Sequence, residues 1–115
     1  MSVIMNIIEC QKILQDNPGV VILKFSANWC APCSKIEPVV KFHLKNLPKN
    51  TNLYRLDVDD NIELYSFFKN KIRLNGIPAF LAFYKGNVTH IPNDMIIGAN
   101  IPELNLFFQR CIEHV

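Results

Sequence analysis

Cys30 and Cys33 bracket Ala31-Pro32, with Trp29 immediately before them, and thiols at this spacing are placed for reversible disulfide exchange. The run ahead of them, Val20 to Ser26 (VVILKFS), reads as a strand, and helical spacing begins at Cys30. The first turn of a helix presents unpaired N–H groups and the positive end of the macrodipole, so a thiol there ionises below the ~8.5 of a free cysteine. The thiolate is the nucleophile, and helical spacing brings Cys33 near enough to attack a mixed disulfide formed at Cys30. Trp29 offers an apolar plate at the rim. Zinc is the competing reading, since such a pair is also half of a zinc site. The other candidate ligands, Cys10, Cys111, His43, His90 and His114, form no second CxxC or HxxxH pair. No metal is therefore expected, and the histidines read as solvated or capping. Cys10 and Cys111 fall on apolar helix faces and read as buried structural thiols.

The elements that must hold this pair alternate between helical and strand patterns. Ile7, Ile8, Cys10, Ile13 and Leu14 recur at helical spacing over Asn6 to Asn17, ending at Asn17-Pro18-Gly19. The β-branched run Val20 to Ser26 suits a central strand buried on both faces, with Lys24 its anomaly. A helix from Cys30 to about Leu47 continues its apolar stripe past Pro38, which should kink rather than end it. Leu53 to Val58 reads as a second strand on which Arg55 and Asp57 share one face, making them candidate neighbours of Lys24. Ile62 to Lys71 reads as a helix and Ala79 to Tyr84 as a third strand. Lys85-Gly86-Asn87 reads as a hairpin turn into a fourth strand from Val88. Leu104, Phe107, Phe108, Cys111 and Ile112 give Pro102 to Val115 an amphipathic helix.

Composition narrows the function classes. At 115 residues, residues 1–115 are expected to form a single domain. Half the residues are apolar, 19% are charged, and the mean hydropathy is +0.12, which favours a packed fold over disorder. Twelve Lys plus Arg against ten Asp plus Glu leave +2, with the lysines scattered, so no nucleic-acid partner is expected. No window approaches the ~20 apolar residues of a membrane span. Met1 to Ile8 lacks a basic leader and a cleavage site, so the start reads as mature protein. Such an apolar chain needs no disulfide framework, and a reducing, cytoplasmic setting is expected.

The segment Phe25-Ser26-Ala27-Asn28-Trp29-Cys30-Ala31-Pro32-Cys33 resembles the active-site segment of the thioredoxin family, with Ala31 where glycine is usual. Pro38 falls where that family kinks its second helix, Gly76-Ile77-Pro78 resembles its cis-proline loop, and Gly98-Ala99-Asn100 resembles the glycine loop before its last helix. The resemblance spans nearly the whole chain. It implies an α/β thioredoxin fold, a central mixed β-sheet flanked by helices on both faces. It implies Cys30 as nucleophile, Cys33 as resolving thiol, Pro78 in cis, and a peptide groove formed by Trp29, Ala31, Pro32, Ile77, Pro78 and Gly98. The implied activity is thiol-disulfide oxidoreduction of protein substrates by a monomer that needs no cofactor, with electrons from a separate thioredoxin-reductase-like donor. Two departures count, the milder being the stretches Asp60 to Leu74 and Asn87 to Ile97, which run a few residues longer than family norms. Most of the family carry a buried aspartate six residues before the first cysteine, and this chain has Lys24. A buried lysine either pairs, with Asp57 the expected partner, or loses its proton. As a cation it would stabilise thiolate and make the disulfide more oxidising; as a neutral amine it would accept the proton of Cys33. The second reading of the whole chain is a polypeptide-binding or chaperone module of the same fold with weak redox turnover.

Overall fold

The computed structural model describes residues 2–115. Eight elements follow in the order α1 (Ile7–Gln15), β1 (Val20–Ser26), α2 (Ala31–Lys45), β2 (Thr51–Asp57), α3 (Ile62–Ile72), β3 (Ala79–Tyr84), β4 (Asp94–Ile97) and α4 (Ile101–Ile112). The strands form one mixed sheet in the order β2-β1-β3-β4. β1 lies inside it, parallel to β2 and antiparallel to β3, with β4 antiparallel to β3 at the far edge.

Because successive strand residues point to opposite faces, β1 sends its side chains alternately into two layers. Val21, Leu23 and Phe25 pack with Cys10 and Leu14 of α1 and Leu64 and Phe68 of α3. Val20 and Ile22 pack with Ile36 and Val40 of α2 and Leu104, Phe107, Phe108 and Cys111 of α4. Lys24 shares the parity of Val20 and Ile22, so its side chain is driven under α2. It is only 3% exposed.

The helix ends follow their caps. Asn6 closes a capping box with Glu9 at the start of α1, and Asn100 accepts from the Glu103 N–H at the start of α4. α2 runs on through Pro38, as the continued apolar stripe requires. The strands β1 and β3 have the boundaries expected of them, and β2 is shifted toward its N-terminus by one to two residues.

The fourth strand is a correction. It starts at Asp94 and not at Val88. Asn side chains occupy the backbone groups that a ladder would use: Asn87 Nδ2 donates to the Ile91 carbonyl at 2.8 Å, and Asn87 Oδ1 accepts from the Thr89 N–H at 3.0 Å. Asn93 Oδ1 accepts from the Tyr84 N–H at 2.9 Å, and main-chain pairing begins only at the Asn93 N–H to Ala82 carbonyl bond. The last helix likewise stops at Ile112, short of Val115.

Candidate active site

The sheet register brings four separate loops together. The C-terminal ends of β1 and β2 lie side by side, since the two are parallel, and the antiparallel pairings place the N-terminal end of β3 and the C-terminal end of β4 at the same edge. From β1 the chain passes through Trp29 into α2; from β2 it passes through Asp59; Pro78 precedes β3; Gly98 follows β4. The Trp29 Nε1–H donates to Asp59 Oδ2 at 2.9 Å, which fixes an indole that is 68% exposed. The Ile77–Pro78 peptide bond is cis, and the Gly98 N–H donates to the Pro78 carbonyl at 2.8 Å. Gly98 takes φ +111°, a left-handed conformation that glycine adopts without strain. Ile77 packs against the cluster that holds Cys30 and Cys33.

Cys30 is the N-cap of α2, and its sulfur accepts the Cys33 N–H at 3.2 Å. The sulfur thus takes the place of a capping oxygen on one of the otherwise unpaired N–H groups of the first turn. Cys30 and Cys33 are joined as a disulfide with their Cα atoms 5.3 Å apart. The same N–H that holds Cys30 here would hold its thiolate after reduction. Ala31 and Pro32, the first residues of α2, complete the turn; Ala31 is exposed.

The charged residues are arranged differently from the sequence-based expectation. Lys24 does not pair with Asp57. Its Nζ lies 3.3 Å from Glu37 Oε2, while Arg55 Nη1 takes the other oxygen of the same carboxylate. The reason is packing. Lys24 points toward α2, its partner across the β1–β2 ladder is Arg55, and Glu37 projects from α2 onto both. Asp57 lies opposite Ser26, and its Oδ1 accepts the Asp59 N–H at 2.8 Å. Burial pushes the Lys24 ammonium below its ordinary range, Glu37 pulls it back up, and Arg55 pushes it further down. Lys24, Cys33, Glu37, Arg55 and Asp57 all line one cavity of about 380 Å³.

Sequence reasoning passed over Glu37 and Asp59. Glu37 carried a usable signal, since it lies four residues beyond Cys33 on one helix and so on the same face. Asp59 sits in a turn, where no periodicity points at a partner. Cys10 and Cys111 are free and fully buried. The three histidines lie away from the pair: His43 stacks on Phe108, His114 on Tyr84, and His90 packs edge-on against Phe67. Among the described residues no three His, Cys, Asp or Glu side chains are grouped to hold a metal, and no helix is long and apolar enough to cross a membrane.

The thioredoxin family model matches residues 3–106. A thioredoxin of Aspergillus fumigatus is 32% identical over 92 residues, covering 79% of this chain and 76% of its own length. A thioredoxin of Staphylococcus saprophyticus is 32% identical over 88 residues, covering 76% of each chain. Among solved structures, Fasciola hepatica thioredoxin superposes with a TM-score of 0.75 at 28% identity, covering 96% of this chain and 98% of that one.

Proposed function

Because this chain belongs to the thioredoxin family and is a thiol-disulfide oxidoreductase, we propose that Cys30 is its nucleophile, Cys33 its resolving thiol and a protein disulfide its substrate. The Cys30 thiolate attacks one sulfur of the substrate disulfide, that S–S bond breaks, and the other substrate sulfur leaves with the electron pair. The Cys33 thiolate then attacks Cys30 in the mixed disulfide, and the second substrate sulfur leaves as thiolate. The substrate has gained two electrons, and Cys30–Cys33 is a disulfide that a separate thioredoxin-reductase-like donor returns to the dithiol. The extended substrate segment lies over Trp29, Ala31 and Pro32, against Ile77, Pro78 and Gly98. Lys24 and Asp57 are the charged groups that tune Cys33. The chain works as one domain and as a monomer, and two free thiols suit a reducing compartment such as the cytoplasm.

The observation that carries this assignment is the capping of α2 by the Cys30 sulfur, which marks Cys30 as the sulfur that gains most from ionising. Nothing in the site favours the binding-module reading. The test is reduction of insulin with dithiothreitol as electron source. The parent should accelerate it, and Cys33→Ser should lose the acceleration; equal rates for the two proteins would overturn the dithiol assignment.

A further inference from the structure

The exchange reaction needs Cys33 as thiolate, yet the Cys30 sulfur is the one that the helix cap favours. Cys33, packed in the core cluster, instead lines the partly open cavity that Lys24 also lines. The charged groups facing Lys24 are Glu37 of α2 and Arg55 and Asp57 of β2, while β3 offers it only Phe80 across the ladder. Glu37 gives one carboxylate oxygen to each cation. It is the only carboxylate bonded to Lys24 among the described residues, because Asp57 is turned to the Asp59 N–H. A cation that is 3% exposed and faces an arginine keeps its proton only with such a partner.

We propose that Glu37 is a positioning residue for the exchange reaction: bridging Arg55 and Lys24, it holds Lys24 as a cation in the cavity that Cys33 lines, and through Lys24 it stabilises the thiolate that resolves the mixed disulfide. This rests on the dithiol reading above. The Cys33 Sγ–H gives its proton to solvent through the cavity. Its sulfur then bonds to Cys30, the Cys30–substrate bond breaks, and the electron pair departs on the substrate sulfur. Lys24 stays protonated throughout and acts by charge alone. Glu37 never touches sulfur. Its removal therefore has a signed consequence: Lys24 is left facing Arg55 with no acceptor and gives up its proton, so the dithiol loses its nearest buried cation and the disulfide form gains.

Two measurements on the purified chain test this without any protein substrate, so they stand or fall separately from the insulin assay. In protein labelled with ¹⁵N-lysine, the Lys24 Nζ resonance should titrate at lower pH in Glu37→Gln than in the parent. In glutathione buffers, Glu37→Gln and Lys24→Met should each move the equilibrium toward the Cys30–Cys33 disulfide by roughly three- to tenfold, a shift of the size a nearby charge produces. The double variant should match the single ones within about twofold, because both remove the same cation. An unmoved Lys24 titration overturns the proposal. So does a Glu37→Gln shift toward the dithiol, which loss of a neighbouring negative charge alone would give, or additive effects in the double variant. Glu37→Gln is nearly isosteric at a partly exposed position; should Lys24→Met not fold, the titration decides alone.

Discussion

Cys10 and Cys111 share a side chain with Cys30 and Cys33 and differ from them in everything that governs reactivity. Each is fully buried on a helix face, and burial pushes its thiol up to about 12. Cys30 instead receives an N–H at the positive end of a helix. The raised thiols link stability to pH with a definite sign. Above the ordinary value of 9.0 the unfolded chain gives up these protons, and the folded chain holds them until about 12, so stability falls as pH rises through that window. Each thiol can contribute up to about 1.4 kcal/mol per pH unit. Denaturant unfolding of the oxidised parent and of the Cys10→Ala/Cys111→Ala variant, from about pH 8 to about pH 11, checks this through the difference between the two. The parent's advantage should shrink with rising pH; a constant difference would contradict it. At this scale the pair Cys30 and Cys33 was legible because its chemistry lies in adjacent residues. The partner of Lys24 was not, because β2 alternation nominates only residues of β2, and the choice of Glu37 depends on how α2 crosses the sheet.

Asn61 shows how an element is tied down by a residue outside its regular part. It is the N-cap residue of α3, yet its side chain makes no cap hydrogen bond to that helix. Its buried side chain accepts the Met5 N–H at 2.8 Å and donates to the carbonyls of Val3 and Asp57, each at 3.0 Å. With the Val3 N–H to Arg55 carbonyl bond, these contacts lay the N-terminal segment along the outer edge of β2. Ser2 Oγ accepts the Asp57 N–H, so this segment also borders the charged cavity. Asn61→Ala removes two buried bonds and a third that is partly buried, and should cost about 2–4 kcal/mol. Denaturant unfolding should show that loss and hydrogen exchange a faster Met5 amide; a change within about 0.5 kcal/mol would contradict it. β1 and β3 were legible to the residue because runs such as VVILKF and AFLAFY have no competing local structure. β4 was not, because Asn87 and Asn93 offer the backbone local partners that hydropathy does not register.

Across the whole molecule, the sheet order does what no segment does alone. With β1 between β2 and β3, the Cys30 turn, the Asp59 turn, the Pro78 loop and Gly98 meet at one edge, although they span residues 30 to 98 of the chain. That convergence was legible only through the family resemblance, since periodicity gives elements and not their order. It brings an exposed indole, a cis-proline loop and a capped sulfur to one edge, the arrangement on which the proposed disulfide exchange with a polypeptide rests. The most direct measurement is the capture of the mixed disulfide. Reduced Cys33→Ser protein is mixed with oxidised insulin and resolved without reductant, and the linkage is mapped by peptide mass spectrometry. The expected product is a one-to-one covalent adduct joined through Cys30, dissolved by dithiothreitol and absent from a Cys30→Ser/Cys33→Ser control. An adduct through Cys10 or Cys111, or no adduct while the parent still reduces insulin, would contradict Cys30 as the nucleophile.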